Sequence, residues 1–129
     1  MRISRQGDNE RQAVQRSATF AGDVWGEPLV EVPETAVNHI LFTPSSHTNW
    51  HRHAGGQILY VTDGQGKVRS RGGEEVTIGP GDAVWVPPDE EHYHGADGDR
   101  FFSHLAISFG TTDWLEPVAT EEYGSFVTE

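Results

Sequence analysis

Two closely spaced pairs of histidines carry the first chemical signal in this chain. His51 and His53 are separated by one residue, and so are His92 and His94. In an extended strand, residues i and i+2 project from the same face, so each pair aims two imidazoles at one place. Gln57 follows His53 across the Ala54-Gly55-Gly56 turn and can return to the same interior on the next strand. Between the two pairs, GPGDAVWVPPDEEH supplies a turn, a buried strand and a second turn. One ion held by His51, His53, Gln57 and His92 satisfies this geometry, and imidazole suits Mn, Fe, Co, Ni, Cu and Zn alike. Such a set leaves two exchangeable positions in an octahedral site, which favours Mn, Fe or Ni over a closed structural zinc. A lone His-x-His also reads as two imidazoles on a solvated strand, and a lone Gln as an ordinary amide. The metal reading rests on all four together, in step with the glycines.

Other side chains fall around this centre. His94 shares a face with His92 and reads either as a proton-transfer group or as a core histidine bonded to a carbonyl. In FFSHLAISF, Phe102, His104, Ala106 and Ser108 share one face; in NHILFT, Asn38, Ile40 and Phe42 do so, opposite His39 and Leu41. These faces are assigned to a pocket, with His39 outside it. By itself, His104 on such a face reads as a satisfied core residue. His47 either lines the entrance or solvates a loop, and Trp50 and Trp85 are expected to pack. Glu74-Glu75 and Glu90-Glu91 sit in turn-like segments and read as solvated surface, not as paired catalytic carboxylates.

The elements that must position these groups are strands. Val, Ile and Thr together number 27, whereas Leu and Met together number six. Stiff β-branched side chains fit a pleated sheet and lose rotamer freedom in helices. Short runs at 37–43, 56–62, 67–71, 75–78 and 82–87 lie between the turn signals TPSS, TDGQG, RGGEE, IGPGD and PPDEE. Strands spaced in this way predict an all-β sandwich or barrel. NERQAVQRS (9–17) is the one N-terminal helix candidate, and the tail from 111 reads as an extended arm holding Trp114 and Phe126.

Composition sets the outer limits. With 129 residues the chain is expected to form one domain, and 20 acidic against nine basic side chains leave a net charge of −11. A surface this acidic argues against nucleic acid or anionic membrane as a partner. The absence of Cys excludes disulfides, thiolate zinc sites and cysteine nucleophiles. The start MRISRQGDNE is polar, and no apolar run approaches the ~18 residues of a membrane span, so a cytoplasmic location is expected.

At this point the residues resemble a known family. HRHAGGQILYVTDG fits the first cupin motif, with Gln57 at the usual Glu position and Gly64 as its closing glycine. GDAVWVPPDEEH fits the second, with Gly81, Pro87 and His92 in place and Asp89 where glycine is usual. Flanking phrases look like small single-domain cupins related to manganese-dependent hydroxynitrile lyases and to carboxymuconolactone-decarboxylase-associated cupins. The resemblance implies a cupin jelly roll, a double-stranded β-helix barrel spanning 21–110 between arms at 1–20 and 111–129. It also implies a homodimer and a divalent transition metal, Mn first, with Fe, Ni, Co or Zn as alternatives. His104 corresponds to the histidine that approaches substrate in the lyase-like group, so acid–base work is expected of it, with His94 beside it. A metal-dependent lyase acting on a small organic substrate is the leading expectation. An Fe- or Ni-dependent dioxygenase and a non-catalytic small-molecule-binding cupin are the rivals; isomerase and decarboxylase chemistry stays open.

Overall fold

The computed structural model describes residues 1–123. Its strands are β1 (Val14–Arg16), β2 (Phe20–Ala21), β3 (Val24–Val32), β4 (Thr35–Phe42), β5 (His47–Thr48), β6 (His51–His53) and β7 (Gln57–Gly64). They continue as β8 (Gly66–Ser70), β9 (Val76–Ile78), β10 (Ala83–Val86), β11 (His92–Ala96), β12 (Phe102–Phe109) and β13 (Thr112–Trp114). The only α-helix among the described residues is the single turn α1 (Thr120–Tyr123). Two antiparallel sheets face each other as a jelly-roll barrel. The first runs β1-β3-β4-β12-β7-β10; the second runs β13-β6-β11-β5-β2, with β8 also on β11 and β9 beyond it. Each strand read from the sequence falls within about two residues of an observed one.

The differences have physical causes. Residues 9–17 form a short 3-10 turn at Asn9–Arg11 and then β1, because Val14, Gln15 and Arg16 pair with Gly26, Trp25 and Val24. Tertiary pairing overrides a weak helical propensity here. Strand β3 is hard to see in the sequence because Gly26 and Pro28 interrupt it; a register shift between Pro28 and Val30 absorbs the proline. Thr112–Trp114 lies within the segment read as an arm and pairs with β6, Trp114 opposite His51. Phe126 lies outside the described residues.

Inside the barrel, one end is apolar. Val24, Phe42, Leu59, Val61 and Phe102 are fully buried there, with Ile40, Val68, Ile78, Ala96 and Ala106 around them. The other end holds the histidines. Strand β11 is buried on both faces, since Tyr93 on its outer side packs with Trp50, Val118 and Tyr123. His47 belongs to that outer cluster: it is buried, donates from Nδ1 to Ser45 O at 2.8 Å and stacks on Tyr123 at 3.7 Å. It neither lines an entrance nor solvates a loop. Trp50 packs as expected, whereas Trp85 is 55% exposed. Asp89 takes φ 63°, the left-handed conformation that the usual glycine adopts without strain, and its N–H donates to His53 O at 2.8 Å. No helix of the described residues is long and apolar enough to cross a membrane.

Candidate metal centre

Three strands bring the four expected ligands together. β6 carries His51 and His53, β11 places His92 opposite His51, and β7 begins with Gln57. The candidate nitrogens of His51, His53 and His92 all lie within 4.8 Å of one another, so one ion can reach all three. Each Nδ1 is already engaged. His51 donates to Asn49 O at 2.9 Å and His92 to Glu90 O at 3.0 Å, while His53 Nδ1 is hydrogen-bonded to Thr112 Oγ1 at 2.9 Å. Holding one ring nitrogen in this way fixes the tautomer and turns the Nε2 lone pair inward, as in metal-ligating histidines.

The donor set fits a cation. Gln57 donates from Nε2 to Ser108 Oγ at 3.0 Å, which directs Oε1 to within 3.0 Å of His92 Nε2. With the His92 proton on Nδ1, that contact sets two lone pairs against each other, an arrangement a shared cation relieves. His53 Nε2 is buried with no hydrogen-bond partner among the described residues, a costly state for a group that can ligate. Burial, reinforced by His92, holds His51 well below the ordinary imidazole range and brings His53 down to about 4; burial also lowers His92. All three are therefore neutral at pH 7, as ligation requires. The residues present fit a divalent transition ion.

A cavity of about 480 Å³ opens in front of these donors, between the sheets. Asn38, Ile40, Ala106 and Ser108 line it, as expected from their shared faces, together with His51, His53, Gln57 and His94. Phe42 and Phe102 do not. They are fully buried in the apolar end, because Phe42 pairs with both Val24 and Phe102 at the deep end of the barrel. His104 is also fully buried and absent from the wall; it sits behind His94, Nε2 to Nδ1 at 3.0 Å. Phe42 and Phe102 flank the His104 ring at 5.4 and 5.3 Å. Burial lowers His104 to about 3, partly offset by the main chain at Leu105, and burial with His104 nearby puts His94 well below the ordinary range. His94 Nε2 is buried without a hydrogen-bond partner among the described residues.

Sequence reasoning missed three features of the wall. Thr112 orients His53, Trp114 stacks on His51 at 4.6 Å, and residues 14–20 form a strap along one side. Only the pairing of β13 with β6 and of β1 with β3 reveals them. No local pattern signals that.

A two-sheet barrel with three clustered histidines beside an inward cavity defines a jelly-roll protein with a candidate metal site. The chain belongs to the cupin family: the family model described as a cupin domain matches residues 38–107. Over 111 residues it is 40% identical to the (R)-mandelonitrile lyase of Granulicella tundricola, covering 81% of this chain and 85% of that protein. It is 38% identical over 67 residues to an acireductone dioxygenase of Rhodopseudomonas palustris, covering 50% of this chain and 39% of that one. Among solved structures, a cupin-like protein of Thermotoga maritima superposes with a TM-score of 0.83 at 38% identity, covering 90% of this chain and 94% of the other.

Proposed function

We propose that the protein is a metal-dependent lyase that cleaves or forms a C–C bond of the hydroxynitrile type in a small organic substrate. The similarity to a mandelonitrile lyase over most of both chains carries the reading. The donor set supports it, because His51, His53, His92 and Gln57 are all neutral and leave a divalent ion its full charge. Such an ion, manganese in the first instance, supplies Lewis acidity toward a substrate oxygen when bound.

The chain's own task is the proton. His94 touches the cavity, and its Nδ1 hydrogen bond to His104 can run in either sense. With the proton between the rings belonging to His94, its Nε2 carries a lone pair toward the substrate. It accepts the hydroxyl proton as the C–C bond breaks, the bonding pair leaves with cyanide, and the proton is then returned to cyanide. His104 stabilises the charged ring from behind and acts through His94 as a positioning residue. This reassigns the direct acid–base contact from His104 to His94. Phe20, Ile40 and Trp114 supply an apolar wall for the substrate body.

Metal-reconstituted protein should release cyanide and the matching aldehyde from mandelonitrile or from a carboxylated analogue of it, and chelation or His51→Ala should abolish the release. Release no faster than buffer across a cyanohydrin panel would end the lyase reading; oxygen uptake with an iron- or nickel-loaded sample would put dioxygenase chemistry in its place. The homodimer belongs to the same proposal. Trp25, Leu41, Tyr60 and Trp85 are 39–55% exposed on the outer face of the first sheet, an apolar surface suited to a second copy. Light scattering at monomer mass would remove it.

A further inference from the structure

Among the described residues, Arg16 is the one cationic side chain lining the cavity, and its position inside the barrel is built into the fold. It lies on β1, the edge strand of the first sheet, and its guanidinium crosses over Gly26 on β3. A Cβ at position 26 would stand 2.5 Å from Arg16 Nε and 3.0 Å from its Cζ, so the side chain occupies the space that any other residue would fill. Gly26 pairs with Ile40, an inward-facing residue of the cavity wall, which places the guanidinium on the inner side of the sheet. Arg16 Nε is shut off from solvent and has no hydrogen-bond partner among the described residues.

The surroundings make this cation unusual. Arg11, Arg52, Arg69 and Arg71 each face a carboxylate at 2.6 to 3.2 Å. Among the described residues, Arg16 has no such partner and no Asp or Glu lines the cavity, although the chain carries 20 of them. A partly desolvated guanidinium without a counter-charge is unfavourable unless a ligand completes it. Its planar fork of donors matches a carboxylate, which it can hold through two parallel hydrogen bonds. His51 and His53 stand on the opposite sheet, so the guanidinium and the candidate ion site face each other across about 480 Å³ of cavity.

We propose that Arg16 is a specificity-determining residue that binds a carboxylate on the substrate, so that the substrate class is a small hydroxy acid: an oxygen toward the histidines, a carboxylate toward β1, and an apolar body against Phe20, Ile40 and Trp114. This rests on the cavity being the substrate site, and it narrows the lyase reading to carboxylated substrates. A ligand lacking the carboxylate leaves Arg16 Nε unsatisfied; one carrying it gains a charge-assisted pair. The discrimination expected is roughly 10-fold or more.

The test is binding, not turnover. Mandelate and 4-(hydroxymethyl)benzoate, each against its own amide, are titrated into the protein as purified, with Trp114 fluorescence or calorimetry as the readout and metal content measured in every sample. At least one acid should bind the native protein about 10-fold more tightly than its amide. In Arg16→Met that ratio should fall to about one at unchanged metal content, and Arg16→Lys should retain part of it. Equal binding of acid and amide by native protein overturns the proposal, as does an undiminished ratio in Arg16→Met, which would trace the preference to the ion. If Arg16→Met does not fold, Arg16→Gln and Arg16→Lys decide by the same ratio. A lyase inactive on every cyanohydrin would leave these ratios unaffected, so the two readings fail separately.

Discussion

The barrel holds two groups of buried histidines, and they are built in opposite ways. In His51, His53 and His92 each Nδ1 is tied to an oxygen outside the cluster, from Asn49, Thr112 or Glu90. His94 and His104 are tied to each other, His94 Nδ1 to His104 Nε2. The first arrangement fixes which nitrogen is bare and where it points. The second fixes only the distance between the rings, leaving the proton free to belong to either. A fixed lone pair suits a ligand, and an exchangeable proton suits transfer. Proximity to the cavity does not separate the groups, since His51, His53 and His94 all line it; the identity of the hydrogen-bond partner does.

Substitutions can break this comparison at several levels. Removing a ligand imidazole is the largest change: His51→Ala, His53→Ala and His92→Ala should each lose most bound metal, read by elemental analysis, with activity lost alongside. Next comes the pair. His104→Phe, which suits a site already flanked by Phe42 and Phe102, should keep its metal while kcat falls by about 10²–10⁴-fold, the usual weight of acid–base assistance. A changed pH–rate profile with KM little altered would mark a positioning role; metal loss equal to that of the ligand variants would erase the distinction between the groups. Thr112→Val keeps the shape at His53 and deletes only the oxygen. It should weaken metal binding by about 10–100-fold, the cost typical of losing an orienting partner. Unchanged affinity would mean that packing alone aims His53.

The last expected effect is on acid stability, read as a slope rather than as a loss of metal or turnover. His104 titrates near 3 in the folded protein and ordinarily near 6.5, so between those values the unfolded chain binds more protons. Its contribution to stability is therefore complete above about 6.5 and is lost as pH falls toward 3, with a slope of up to about 1.4 kcal/mol per pH unit. His104→Gln should flatten that limb in urea titrations at pH 4 to 7. An unaltered slope would place the titration elsewhere.

What was legible in the sequence depended on local periodicity. The i, i+2 spacing of His51/His53 and His92/His94 identified the inward face because a strand's alternation is fixed by its backbone. The same alternation assigned Asn38, Ile40, Ala106 and Ser108 to the cavity and His39 to the outer side. It does not say how far along the barrel each residue lies, so it puts Phe42 and Phe102 on the inward face but misses that they lie in the apolar end, away from the cavity. Nor could it foresee partners supplied across the fold. Thr112 reaches His53 through the β13–β6 pairing, and Arg16 reaches the cavity only because β3 offers a glycine beneath it.

Strand β13 touches two of the three ligand histidines, Thr112 at His53 and Trp114 against His51, while Asp113 on its other face holds Arg52 at 3.0 Å. An ion bound by these histidines would therefore be linked to the closure of this strand onto β6. Whatever draws the imidazoles together must also lower the population in which residues 112–114 peel away. A protease that cuts only the opened strand would then report metal affinity without touching the centre, its cutting rate falling as the ion concentration rises. By the same linkage, loosening this short outer strand would weaken the hold on metal as surely as a change to a ligand, though by a smaller factor.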